Sequence, residues 1–210
     1  EVGHAMHSYF SSREQPHPTA EYTIFVAEVA STFNERLLTH SLLARATDPR
    51  ERAALVNDAL DTFRTVLFRQ TLFAEFELET HRAVERGAGL SADGLCELYG
   101  RLLAEYYGPD LELDEEVRHE WSRVPHFYRA FYVYQYATGL VAATALARAV
   151  LSGDEAARQR YLRFLAAGSS KDSLDLLRDA GVDLTTPEPY LAAFATMEQD
   201  LATLEEALTQ

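Results

Sequence analysis

Apolar residues recur at three- and four-residue spacing along almost the whole chain, the mark of helices with one buried face. Phe25, Val29, Phe33, Leu37 and Leu38 form one such stripe and predict a helix over 21–46. Asp48-Pro49 breaks it, because proline biases its predecessor away from helix. A long helix is expected over 51–86, with Leu55, Leu60, Phe63, Leu67, Phe73 and Phe76 on its core face. Gly87-Ala88-Gly89 ends it, and Ser91 is placed to cap a helix running to about Tyr107. An acidic stretch, Glu112 to Glu120, follows. Pro125 then opens an aromatic segment that runs into an apolar helix ending near Leu151. Shorter helices are expected after Ser152-Gly153-Asp154 through Ala167, over 171–180, and over 187–208. Residues 1–12 read as the tail of a helix and Gln15-Pro16-His17-Pro18 as a loop. No strand pattern and no fixed repeat stand out. The fold class is all-α, and the lack of any linker-like stretch favours one helical body over two domains.

Composition narrows the function. Of 210 residues, 47% are apolar, enough for a sizeable core. The net charge of −14 argues against nucleic acid or an anionic membrane surface as partner. The single Cys96 excludes an internal disulfide framework and fits a reducing cytoplasm. No apolar run reaches bilayer-spanning length.

The candidate chemistry begins at the first residue. In H-E-x-x-H, two histidines one helical turn apart bind zinc, and the glutamate between them serves as general base. Glu1-Val2-Gly3-His4 supplies the glutamate and the second histidine, so the chain reads as opening inside the motif, with the first histidine missing. A catalytic zinc takes three protein ligands and keeps an open position. Glu28 is the best further candidate, because a carboxylate within Phe25-Val26-Ala27-Glu28-Val29-Ala30 needs a partner, and a metal ion is one. A buried ion pair would also satisfy Glu28. His7, one turn beyond His4, is a possible fourth ligand or a packing residue. Glu35, seven residues after Glu28, is placed to hydrogen-bond a ligand histidine. Tyr128, Tyr132 and Tyr136, spaced by four, would share one face of a helix following Pro125. Such a stripe is core filler or a set of donors for an oxyanion.

Several extended segments carry a resemblance. Glu1-Val2-Gly3-His4-Ala5-Met6-His7-Ser8-Tyr9 resembles the H-E-x-G-H-x-x-H-S core of the thimet oligopeptidase (M3) family, in its oligoendopeptidase F branch. Tyr22 through Thr32 is similar to that family's third-ligand helix. Phe68 through Glu77, His126 through Gly139, and Gly168 through Asp183 also resemble family segments, in the expected order. The resemblance implies a zinc metalloendopeptidase acting on short peptides, with Glu1 as general base and His4 and Glu28 as metal ligands. It further implies that His126, Tyr132 and Tyr136 line the site, with Tyr128 or Tyr134 as alternatives one register away. The chain would be the C-terminal half of a helical peptidase channel. Its partner would be the missing N-terminal part of the same enzyme, and the fragment alone is expected to be inactive.

Two other classes stay open. A carboxylate-bridged di-metal bundle would use Glu1-x-x-His4 and Glu116-x-x-His119, although the second pair lies in a densely charged, solvated stretch. A non-catalytic helical interaction module would need no metal at all. An exopeptidase would use the same ligands, because channel shape decides where a peptide is cut.

Overall fold

The computed structural model describes residues 1–209. Ten α-helices carry the fold among these residues, and no strand occurs. They are α1 (Val2–Glu14), α2 (His17–Ala20), α3 (Ile24–Leu43), α4 (Pro49–Thr62), α5 (Arg69–Glu85), α6 (Ala92–Tyr107), α7 (Tyr134–Leu151), α8 (Glu155–Leu165), α9 (Ser173–Ala180) and α10 (Glu188–Thr209). The all-α expectation holds.

Local chemistry sets the helix ends. The Asp48 carboxylate accepts from the Arg50 amide, with Pro49 at the first helical position where its missing N–H costs nothing. Ser91 and Asp154 cap α6 and α8 by accepting from Gly94 and Ala157 amides at 3.1 and 3.0 Å. Gly181 ends α9 with φ 107°, a left-handed conformation that favours glycine.

Three segments depart from the sequence reading. The one-turn helix α2 begins inside the expected loop at 15–18. The expected helix over 51–86 is not uniform: Phe63–Phe68 widens into a π-helical segment. The aromatic segment is not one helix. It makes a 3-10 turn over Pro125–Tyr128, leaves helical geometry, and re-enters it only at Tyr134. Tyr128 therefore does not share a helix face with Tyr136. It is 91% exposed.

Where the sequence favoured a single body, the contacts divide the chain into two compact units, residues 1–64 with 138–210, and residues 65–137. Both boundaries fall inside helical segments, which explains why no linker composition marks them. In the first unit, α1 packs on α3 and α8, and α4 packs on α10. Val26, Val29, Val56, Leu140, Val141 and Leu177 are fully buried there. Each such side chain contributes about 1.5–3 kcal/mol on leaving water.

The second unit is centred on an aromatic core. Leu72, Phe73 and Phe76 of α5 meet Tyr99, Leu102 and Leu103 of α6, together with Val133. A 3-10 segment over Glu115–Arg123 closes this core with Trp121 and Val117. It is tied down through Glu120, which accepts from the buried Tyr99 hydroxyl at 2.8 Å and pairs with Arg69 and Arg123.

Candidate functional site

Gly3 fixes how the E-x-x-H turn meets α3. A Cβ there would fall inside the radius of the Ala30 carbonyl, so the backbones of α1 and α3 touch at this point. His4 follows Gly3 directly, and Glu28 stands two residues before Ala30. Both are half-buried, whereas Glu1 is exposed. The Tyr22 hydroxyl bridges the same end of α1, lying 2.9 Å from Ser8 Oγ and donating to the His4 carbonyl at 3.3 Å. Glu28 packs over α7 through a second close approach, since a Cβ at Gly139 would lie 2.9 Å from Glu28 Cβ. The Ser31 hydroxyl donates to Glu28 Oε2 at 3.3 Å.

The two helices that meet at this crossing thus carry one imidazole, His4, and one carboxylate, Glu28. That nitrogen-and-oxygen set suits zinc. Among the described residues no group of three His, Cys, Asp or Glu side chains is close enough to hold an ion.

The neighbours resolve into packing roles. His7 is buried and stacks on Tyr22, rings 3.6 Å apart and nearly parallel, with Phe164 tilted against it. Burial, reinforced by His4, lowers its pKa to about 4, and its Nδ1 has no hydrogen-bond partner. Glu35 is exposed on α3. Of the di-metal alternative, Glu116 is exposed and His119 Nδ1 lies 3.2 Å from Cys96 Sγ, which also accepts from the Trp121 indole at 3.4 Å.

In the second unit, His126, Tyr132 and Tyr136 come together despite the broken helix. His126 Nε2 lies 3.3 Å from the Tyr136 hydroxyl. The His126 and Tyr132 rings stack at 5.5 Å, and Tyr132 meets Tyr136 edge-on at 5.6 Å. The result is a half-buried cluster of one imidazole and two phenols. Tyr134, the alternative one register away, is exposed.

Glu77, which contacts the turn before Tyr132, escaped the sequence reading. Glu77 is buried and accepts from the Phe131 amide at 2.7 Å. His81 bonds the Glu77 carbonyl through Nδ1 at 2.8 Å and packs its ring on Phe131. The signal for Glu77 was present: it is a carboxylate between Phe76 and Leu78, the same context that singled out Glu28.

The profile of peptidase family M3 matches residues 1–196. The chain is 47% identical over 208 residues to oligopeptidase PepF of Bacillus subtilis, covering 99% of this chain and 31% of that protein. It is 46% identical over 206 residues to an oligoendopeptidase F homolog of Lactococcus lactis, covering 98% of this chain and 34% of the relative. The chain thus spans about a third of the length of the curated relatives it matches. The crystal structure of oligoendopeptidase-F from Enterococcus faecium superposes with a TM-score of 0.88 at 45% identity, covering 99% of this chain and 38% of that one. A putative peptidase from Chlamydophila abortus gives 0.92 at 42%, covering 99% and 35%. With the family profile running from the E-x-x-H turn into the first half of α10, the chain belongs to peptidase family M3.

Proposed function

We propose that this chain is the C-terminal, zinc-binding part of a metalloendopeptidase that hydrolyses short peptides. The observation that carries the reading is the backbone contact at Gly3, which sets His4 and Glu28 at one crossing of α1 and α3. His4 and Glu28 are two of the metal ligands. Zinc, when bound, polarises a peptide carbonyl and acidifies water. Glu1 takes the proton of the attacking water and returns it to the leaving amine. His126, Tyr132 and Tyr136 present an imidazole and two phenols, neutral donors suited to the oxyanion and to holding the peptide backbone. The N-terminal part of the enzyme supplies the rest of the peptide channel, and the enzyme works in the cytoplasm, consistent with one buried cysteine.

The test is made on the complete gene product. One zinc per chain, cleavage of a quenched peptide and its loss on chelation are expected. H4A and E28A should lose metal, whereas E1Q should keep metal and lose turnover. A metal-loaded wild type that leaves such peptides intact would overturn the reading in favour of a non-catalytic helical module. Two metal ions per chain would favour the di-metal bundle.

A further inference from the structure

Phe131 is the one non-glycine residue with left-handed backbone among the described residues, at φ 55°. A bulky side chain holds that conformation only where its surroundings over-determine it. Here they do so from three sides. The Phe131 amide donates to Glu77 Oε1 at 2.7 Å. The Phe131 ring lies 4.6 Å from His81, whose own Nδ1 is fixed on the Glu77 carbonyl. Val133, two residues on, is fully buried in the core of the second unit.

This turn decides where the next residues go. Before it, His126 is held by the 3-10 turn that the Arg129 amide closes on the His126 carbonyl. After it, the Tyr132 carbonyl accepts from the backbone and side-chain nitrogens of Gln135 as α7 begins. The stack of Tyr132 on His126 exists because the chain reverses between them. Glu77 is 3% exposed, and a carboxylate at that depth is costly unless it is hydrogen-bonded. What it does that an apolar residue would not is accept, with charge assistance, from an amide in a strained turn.

We propose that Glu77 is a positioning residue: its buried carboxylate holds the left-handed turn at Phe131, and through it the register of Tyr132 and Tyr136 against His126. The functional half of this inference rests on the peptidase reading. The structural half does not.

The test uses the complete gene product with E77M, which fills the space but offers no acceptor, and E77Q, which keeps a weaker one. Hydrogen exchange of the Phe131 amide is measured beside kcat and KM for a quenched peptide, with bound zinc as control. In E77M the amide is expected to exchange at least about 10-fold faster and kcat to fall about 10²-fold, with zinc content unchanged. In E77Q both effects should shrink to a few-fold. Unchanged exchange in E77M overturns the proposal, as does faster exchange with full kcat. If E77M does not fold, wild-type exchange in E77Q overturns it. A wild type that cleaves nothing fails the peptidase reading and with it the functional half, while the exchange data still decide whether Glu77 holds the turn.

Discussion

The His126 imidazole and the Tyr136 phenol meet at 3.3 Å, Nε2 to Oη, across ten residues that leave helical geometry and return to it. In the proposed mechanism the imidazole donates from Nε2 to the phenol oxygen, which leaves the Tyr136 O–H to donate elsewhere. In the proposed reaction it meets a developing negative charge without reorganising first. Removing it should therefore cost rate more than affinity. Y136F in the complete enzyme is expected to lower kcat about 10²-fold with little change in KM, measured by steady-state cleavage of a quenched peptide. Y128F, at a ring that is 91% exposed, should leave both unchanged.

The contact of α1 with α3 has no room for a side chain at Gly3, because the atom it would meet is backbone. Gly3→Ala must separate the helices, at a cost of about 3 kcal/mol, read by chemical unfolding. Gly139→Ala meets Glu28 Cβ, which moves only with the α3 backbone, so about 2 kcal/mol is expected. Zinc affinity should fall in both variants, since the first separates α1 from α3 and the second displaces Glu28.

His7 gives stability an acid limb. Its folded pKa, about 4, lies below the unfolded value near 6.5, so the unfolded chain binds the proton more readily. Its contribution is complete above about pH 6.5 and is lost as pH falls towards 4, up to about 3 kcal/mol. H7F keeps the stack on Tyr22 and removes the titration. Unfolding free energies measured across this window should fall less steeply in H7F than in wild type.

Tyr99 and Glu120 test the second unit. Y99F removes the donor to Glu120 Oε2 from a fully buried site but leaves Arg69 and Arg123 on the other oxygen. A loss of about 1–2 kcal/mol is expected in thermal unfolding.

The helices were largely legible because their stripes and caps are local: Asp48-Pro49, Ser91 and Gly181 each act within a turn of themselves. The break between Tyr128 and Tyr134 was not, because its cause is Glu77, 54 residues away from Phe131 in sequence. Four-residue spacing of tyrosines satisfies a helix equally well whether or not the backbone follows one. His126, Tyr132 and Tyr136 nevertheless end side by side, since the turn and the start of α7 together bring the rings back into contact. The α1–α3 crossing was invisible for a different reason: a glycine inside a helix signals weakness in isolation and shows its purpose only against Ala30.

Gly3 and Tyr136 would leave different fingerprints in a scan of every substitution. Screened for soluble protein alone, Gly3 should tolerate almost nothing, because the Ala30 carbonyl rejects any side chain whatever its chemistry. Tyr136 should accept phenylalanine freely in that screen and lose it only when the screen is for cleavage. Purifying selection at the head of α1 would thus record the thickness of two helices as strictly as the identity of any ligand.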